Sequence, residues 1–211
     1  FVAESPDNQN RELGLSAYFS TPLVGFADAS DPLFSELKHI IGAFHLTPRE
    51  MLELSFPGHK GSWDGSSAVS WVLPFSRDVR ERNRSETFCS SPVWACAKKY
   101  GEELNGKLGE HLASFLSDQG FVAVVPTQSS IYEVLQPEDT GFTSNWSERH
   151  VAYVAGLGTF GLSGGLITKR GIAVRCGSLV TDLKLKPTVR PYGNHHEYCL
   201  FYSLHRCGKC M

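Results

Sequence analysis

The residues with the clearest chemical capacity are cysteines near the end of the sequence. Of the six cysteines, Cys199, Cys207 and Cys210 lie close together, and the last two form a Cys-x-x-Cys pair. Zinc sites, iron–sulfur clusters and redox dithiols all use this spacing. We predict that these three residues ligate a metal. An iron–sulfur cluster is the favoured interpretation, with zinc and an uninvolved thiol pair as alternatives.

A second motif lies at residues 156–161, where Gly-Leu-Gly-Thr-Phe-Gly matches the pattern G-x-G-x-x-G. A dinucleotide site with this pattern needs a strand before the glycines and a helix after them. Here a helical pattern precedes the motif and more glycines follow it. The sequence therefore favours a turn between a helix and a hairpin, or a turn whose bare backbone approaches another large cofactor.

The glycine motif belongs to a longer pattern. Residues 147–161 read SERHVAYVAGLGTFG, residues 166–168 read LIT, residues 175–182 read RCGSLVTD, and the tail contains RCGKC. This pattern resembles the cobalamin-dependent iron–sulfur reductases, a group that contains epoxyqueuosine reductase and is similar to the reductive dehalogenases. The resemblance covers roughly residues 145–211.

The resemblance implies an α+β fold. A nitroreductase-like cobalamin-binding domain, a mixed sheet flanked by helices, would occupy residues 31–190. The scattered apolar positions of residues 1–30 separately predict an extended N-terminal arm before it, and the resemblance implies that a ferredoxin-like module with 4Fe-4S clusters begins at 191–211. Because the chain starts at Phe1 and stops at Met211 within a cysteine-rich passage, we expect a piece of a longer protein whose cluster is incomplete here.

The resemblance also implies cofactor contacts. A corrin is large and flat, and it is held by close backbone approach, apolar contact and amide hydrogen bonds. The implied cobalamin site consists of Gly156, Gly158, Thr159, Phe160, Gly161, Arg175 and Ser178. Within it, Arg175 would meet a propionamide or the nucleotide phosphate.

One position departs from the group. Epoxyqueuosine reductases carry an Asp-Ser-x-Pro segment just before the glutamate that opens the Ala-Gly-Leu-Gly helix, and its Asp is the supposed proton donor. Residues 142–145, just before Glu148, read Phe-Thr-Ser-Asn instead. Protonation of a substrate would then need His150, Glu148, Tyr153 or a residue elsewhere. The catalytic residue and the substrate stay unassigned, and we expect a small molecule or a modified nucleoside.

The elements that must position these residues mix helices and strands without a regular βαβ repeat, which favours an α+β fold. Helix starts are predicted at Asp31-Pro32, Thr47-Pro48, Ser91-Pro92 and Asn145, the second and last as capping boxes. Strands are predicted at 68–75 and, internally, at 121–125, with a charged loop at 77–84, a polar loop up to Asn145 and a hairpin at 165–181.

Composition sets outer limits on function. The 211 residues are 41% hydrophobic and 20% charged, with a net charge of −2. This balance is typical of a globular protein and gives no electrostatic support for nucleic acid or membrane partners. No apolar run approaches the ~20 residues of a membrane span. We therefore predict a cytoplasmic protein whose partners are its substrate and an electron donor for its clusters.

Two functional interpretations stay open beside the reductase. A non-catalytic corrinoid- or metal-binding module, such as a carrier or sensor, would not need the missing aspartate. A flavin or nicotinamide oxidoreductase on a similar fold would account for the glycine motif.

Overall fold

The fold is α+β in a computed structural model that describes residues 1–138 and 141–210. Asp139 and Thr140, in the predicted polar loop, and the terminal Met211 lie outside the described residues. The helices are α1 (Pro32–Ile40), α2 (Pro48–Ser55), α3 (Arg77–Arg84), α4 (Pro92–Asp118), α5 (Glu148–Val154) and α6 (Leu200–Leu204). The strands are β1 (Leu23–Asp28), β2 (Ser67–Pro74), β3 (Ala123–Val124), β4 (Val134–Leu135), β5 (Thr143–Ser144), β6 (Gly158–Phe160), β7 (Leu166–Thr168) and β8 (Val174–Thr181).

A four-stranded sheet with the order β1-β2-β8-β3 forms the centre. The prediction of a mixed sheet is wrong, because every strand pairing among the described residues is antiparallel. Strands β2 and β8 pair along their whole lengths, whereas β3 pairs only with Val180 and Thr181 of β8. Residues 174–178 of β8 therefore have no strand neighbour on their outer side within the described chain.

Helices cover the two faces of this sheet. On one face the long helix α4 packs Ala97, Leu104 and Leu108 against side chains of β2 and β8. On the other face, α1, α2 and α5 bury their apolar sides against Val72 and Val180. The site-bearing strand β8 is thus held between two hydrophobic layers.

The predicted helix starts are confirmed where local capping determines them. Asp31 accepts a hydrogen bond from the Leu33 N–H, and Thr47 with Glu50 forms a complete capping box. The predicted capping box at Asn145 is wrong. The Asn145 side chain instead bonds the backbone of Glu133 and Ile131, so it ties together the loop that precedes α5.

Two other local predictions are wrong. The segment 77–84, expected as a charged loop, is the helix α3: the Ser76 side chain caps it and ion pairs link Arg77 to Glu81 and Asp78 to Arg82. The predicted internal strand 121–125 is the two-residue edge strand β3. It is an edge strand because it pairs with β8 alone, and it is short because a 3-10 turn begins at Pro126.

The predicted hairpin at 165–181 also has different partners. Strand β7 pairs with β6, while β8 pairs with β2 and β3 in another sheet. Gly156 ends α5 in the expected left-handed conformation, with φ of 83°, and leads directly into β6. The glycine motif is therefore the first strand of a small β6–β7 hairpin rather than a free turn.

Candidate functional site

The unpaired edge of β8 borders two adjoining cavities. One, of about 640 Å³, lies between α4, this edge and the start of α5. The other, of about 470 Å³, continues along α4, and both are lined by Glu102, Asn105 and Thr127. We call the two together the β8 groove. Cavities of this size suit small-molecule or cofactor binding.

Asn105 fixes the wall of the groove. Its buried side chain accepts a hydrogen bond of 2.7 Å from the indole N–H of Trp71 and donates one of 3.2 Å to the Cys176 carbonyl. The amide thereby connects α4 to both central strands and satisfies one carbonyl of the unpaired β8 edge, which would be costly to bury alone.

Arg175 lies at the mouth of the groove with its guanidinium held by α4. It pairs with Glu102 and donates a hydrogen bond of 2.7 Å to the Lys98 carbonyl. Its Nε atom is buried and has no partner within the described chain. A ligand oxygen in the groove would satisfy this N–H, since unpaired buried donors are rare.

Glu148, the first residue of α5, lines the larger cavity. Its Oε2 atom is shielded from solvent and lacks a hydrogen-bond partner within the described chain. Burial raises the pKa of Glu148 to about 7, against smaller opposite effects of Ser178 and Trp146. Those two side chains bond each other, the Trp146 indole N–H donating to the Ser178 hydroxyl at 3.0 Å.

Two histidines, the buried His45 and the half-buried His150, hold the start of α5 in place. The Ser147 N–H donates to Nε2 of His45, and the Ser147 hydroxyl bonds Nδ1 of His150 at 2.7 Å. Burial lowers the pKa of His45 to about 4 and that of His150 to about 3, so both rings are neutral at neutral pH. The two neutral rings therefore position Glu148 without adding a charge beside it.

The glycine motif lies elsewhere, beneath a C-terminal segment at residues 188–199. A Cβ on Gly158 would lie 2.4 Å from the Ile167 carbonyl oxygen, and one on Gly156 would lie 3.2 Å from the Val189 carbonyl oxygen. The Phe160 ring stacks on His195 with 4.4 Å between the ring centroids. These glycines thus permit close packing within the chain.

The seven residues predicted to bind a cofactor consequently fall into two groups. Arg175 and Ser178 line the β8 groove. The other five are covered by neighbouring backbone and by residues 188–199, as when the Thr159 hydroxyl accepts a hydrogen bond from the Tyr198 N–H. The groove residues offer two unpartnered polar atoms that the amide groups of a corrin would satisfy, whereas the motif residues contact other parts of this chain.

The predicted metal ligands are not assembled. Cys199 is buried before α6, while Cys207 and Cys210 are exposed. Burial raises the pKa of the Cys199 thiol, but backbone N–H groups outweigh this effect and lower it overall, which favours a thiolate. Among residues 1–138 and 141–210, no three His, Cys, Asp or Glu side chains are grouped to hold a metal ion. Cys199, Cys207 and Cys210 are therefore not brought together with further ligands among the described residues.

Sequence reasoning missed Asn105, because a single Asn inside a long helix has no motif. The only available signal was its position among apolar residues on the buried face of α4. Glu148 was among the candidates for a proton donor, but its cavity depends on β8 and α4, which are distant in sequence.

Comparisons with known proteins give structural neighbours only. No protein-family model matches the chain. No curated protein matches it either. Solved structures that it resembles include a selenomethionine-labelled epoxyqueuosine reductase, with a TM-score of 0.46 and 19% identity over 83% of this chain and 45% of that one.

Two further neighbours bear the same name. An epoxyqueuosine reductase with an epoxyqueuosine-modified tRNA-Tyr stem loop has a TM-score of 0.46 and 20% identity over 84% of this chain and 46% of that one. The enzyme from Streptococcus thermophilus has a TM-score of 0.41 and 17% identity over 87% and 46%. The chain thus spans a little under half the length of these proteins. Within its described residues, no helix is long and apolar enough to cross a membrane.

Proposed function

We propose that this chain is the cofactor-binding part of an oxidoreductase of the epoxyqueuosine reductase-like group, and that cobalamin occupies the β8 groove. The sequence pattern at residues 147–182 supports the group. The lining of the β8 groove supports this location for the cofactor, because it includes Arg175 and Ser178, which the same pattern implies as cofactor contacts.

One observation carries this proposal: two buried polar atoms, Arg175 Nε and Glu148 Oε2, adjoin one cavity without partners in the described chain. Unpartnered buried groups cost about 1–3 kcal/mol each in a closed core. A ligand rich in amide groups would satisfy both. A corrin carries such groups around its rim, which makes it a suitable occupant.

The protein's own residues would bind and orient the cofactor. Arg175 would donate to a propionamide or phosphate oxygen, and α4 with β8 would exclude water from one side of the groove. Cobalamin, when bound, supplies the reducing chemistry. The nitroreductase-like character of this domain and the boundaries at residues 30 and 190 belong to the same proposal, as does a cytoplasmic location.

The three tail cysteines enter as proposed ligands of a 4Fe-4S cluster in a longer protein, fed by an electron donor. The lowered pKa of Cys199 favours the thiolate that a cluster needs. Cys199, Cys207 and Cys210 are not grouped with other ligands among the described residues.

The proposed substrate is a small molecule or a modified nucleoside. One neighbour contains a modified tRNA stem loop, so that stem loop and the free nucleoside are the two ligands to compare on this chain. The net charge of −2 provides no general attraction for RNA.

An anaerobic titration with cob(II)alamin, followed by visible spectroscopy, tests the proposal. We expect a saturable shift towards the base-off spectrum. Arg175→Ala is expected to lower the affinity for cob(II)alamin at least about tenfold, since a charged hydrogen bond is worth roughly 1.5–3 kcal/mol. Arg170→Ala is the matched control, because Arg170 is exposed and does not line the groove.

Two results would contradict the proposal. One is the absence of any shift with the wild-type protein. The other is equal affinity in the Arg175 and Arg170 variants, which would place the corrin away from the groove. A parallel titration with FMN tests the flavin alternative, and binding of cobalamin without reduction of any added substrate would favour a carrier or sensor.

A further inference from the structure

Glu148 is an acidic side chain without a cationic partner. Two arginines that line the same cavity are engaged elsewhere: Arg149 donates to the Gly164 carbonyl and Arg175 pairs with Glu102. No ion pair among the described residues includes Glu148. A carboxylate in this place would be buried and uncompensated, so the neutral acid is favoured.

One oxygen of the Glu148 carboxyl has no internal hydrogen-bond partner among the described residues. The Ser178 hydroxyl already accepts from the Trp146 indole, and Oε2 of Glu148 is unpartnered. The remaining titratable or charged groups that line the larger cavity are Lys98, Glu102, Tyr132, Arg149, Arg175 and Cys176. Of these, Cys176 holds its own proton, because burial raises the pKa of its thiol to about 12.

We propose that Glu148 is a neutral carboxylic acid that donates a hydrogen bond to an uncharged oxygen of the ligand in the β8 groove. This inference rests on the proposed function for the identity of that ligand. The chemical class it selects is an amide or keto oxygen. A carboxylate or phosphate at the same point would compete with the acid for its proton and raise the cost of burying charge.

The other two acids considered from the sequence do not reach this groove. His150 stacks on Phe160 at 4.5 Å between ring centroids and bonds Ser147, and burial keeps its ring unprotonated. Tyr153 stacks on Tyr192 at 5.3 Å, under the C-terminal segment. Neither lines the two cavities. Glu148 is therefore the candidate that brings a proton to the ligand.

The test measures the dissociation constant of cob(II)alamin against pH for the wild type, Glu148→Gln and Glu148→Ala. The wild-type affinity is expected to fall about tenfold from pH 6 to pH 8, as a donor with a pKa near 7 ionises. Glu148→Gln keeps a neutral donor and is expected to bind with a constant affinity over this range. Glu148→Ala is expected to bind more weakly at pH 6.

The outcomes separate this inference from the proposed function. Absence of cob(II)alamin binding at every pH overturns the proposed function and, with it, this inference. Binding that is independent of pH in the wild type, or equally dependent in Glu148→Gln, overturns the role of Glu148 alone. Should the variants fail to fold, carbon NMR of wild-type protein labelled at glutamate carboxyls gives the answer. The inference requires one glutamate carboxyl signal that titrates near neutral pH. A spectrum without such a titration refutes a neutral Glu148.

Discussion

At the scale of single residues, burial at the start of α5 favours the neutral forms of three ionisable side chains. Burial opposes the carboxylate of Glu148 and the imidazolium forms of His45 and His150. Buried charges without partners are costly in proteins. With a pKa of about 7, Glu148 is a proton donor in the groove below neutral pH, and the two neutral rings add no charge beside it.

Replacing Glu148 by Gln should stabilise the protein at alkaline pH. The unfolded carboxyl ionises near 4.5 and the folded one near 7, so ionisation of the unfolded state lowers stability as pH rises between these values. Ionisation of Glu148 alone is expected to cost the wild type about 2–3 kcal/mol from pH 5 to pH 8, so the free energy of unfolding of Glu148→Gln should rise by about that much relative to the wild type over this range.

Urea unfolding at the two pH values measures this difference. The control is Glu12→Gln, because Glu12 is exposed. Equal pH dependence in the two variants would mean that Glu148 ionises normally in the folded protein.

At the scale of elements, the glycines of α4 have different reasons to be there. A Cβ on Gly101 would lie 2.6 Å from the Phe19 ring, whereas one on Gly106 would approach only the Gln128 amide nitrogen, at 2.9 Å. The first neighbour is a buried ring that cannot move freely, and the second is the end of a flexible side chain.

The two alanine variants should therefore change the free energy of unfolding in opposite directions. Alanine is favoured over glycine in a helix by about 1 kcal/mol, so Gly106→Ala is expected to raise the free energy of unfolding. Gly101→Ala is expected to lower it by roughly 1–3 kcal/mol through overpacking. Thermal unfolding of both variants and the wild type measures these changes. A stabilised Gly101→Ala variant would contradict the expectation and show that Phe19 repacks easily.

Elements were predictable from sequence where a local signal determines them. The cap at Asp31 and the capping box at Thr47 gave α1 and α2 because their hydrogen bonds are formed within a few residues. Strand partners were not predictable in the same way. The pattern after Gly165 correctly indicated strands, but β7 pairs with the preceding β6 and β8 pairs with β2, about 100 residues earlier in the chain. The charged α3 was missed because only Val79 is buried in it.

The candidate site was likewise predictable from sequence only in part. The pattern resemblance named Arg175 and Ser178, which line the groove, together with a glycine motif that tertiary packing covers. That covering could not be seen from spacing, since residues 188–199 return to the motif through backbone contacts such as the bond from the Phe160 N–H to the His195 carbonyl. A packing role and a ligand role give glycine the same sequence signature.

At the scale of the whole molecule, stability should fall on acidification. His45 and His150 have folded pKa values of about 4 and 3 against 6.5 when unfolded. The unfolded state therefore binds more protons below pH 6.5. Each histidine is expected to cost about 2 kcal/mol of stability between pH 7 and pH 5.

Urea unfolding of His45→Gln and of the exposed control His39→Gln tests this expectation. The first variant should lose less stability than the wild type over the same pH interval, and the second should match the wild type. A His45 variant with unchanged pH dependence would contradict a neutral buried ring.

The location of the corrin is the central claim, and paramagnetic broadening in NMR tests it most directly. Cob(II)alamin has an unpaired electron, so it broadens the signals of nearby amides. The groove predicts broadened amide signals for Cys176, Gly177 and Ser178, with little effect on Gly156, Gly158 and Gly161. Broadening of the glycine motif with β8 unaffected, or no broadening at saturating cob(II)alamin, would contradict the account.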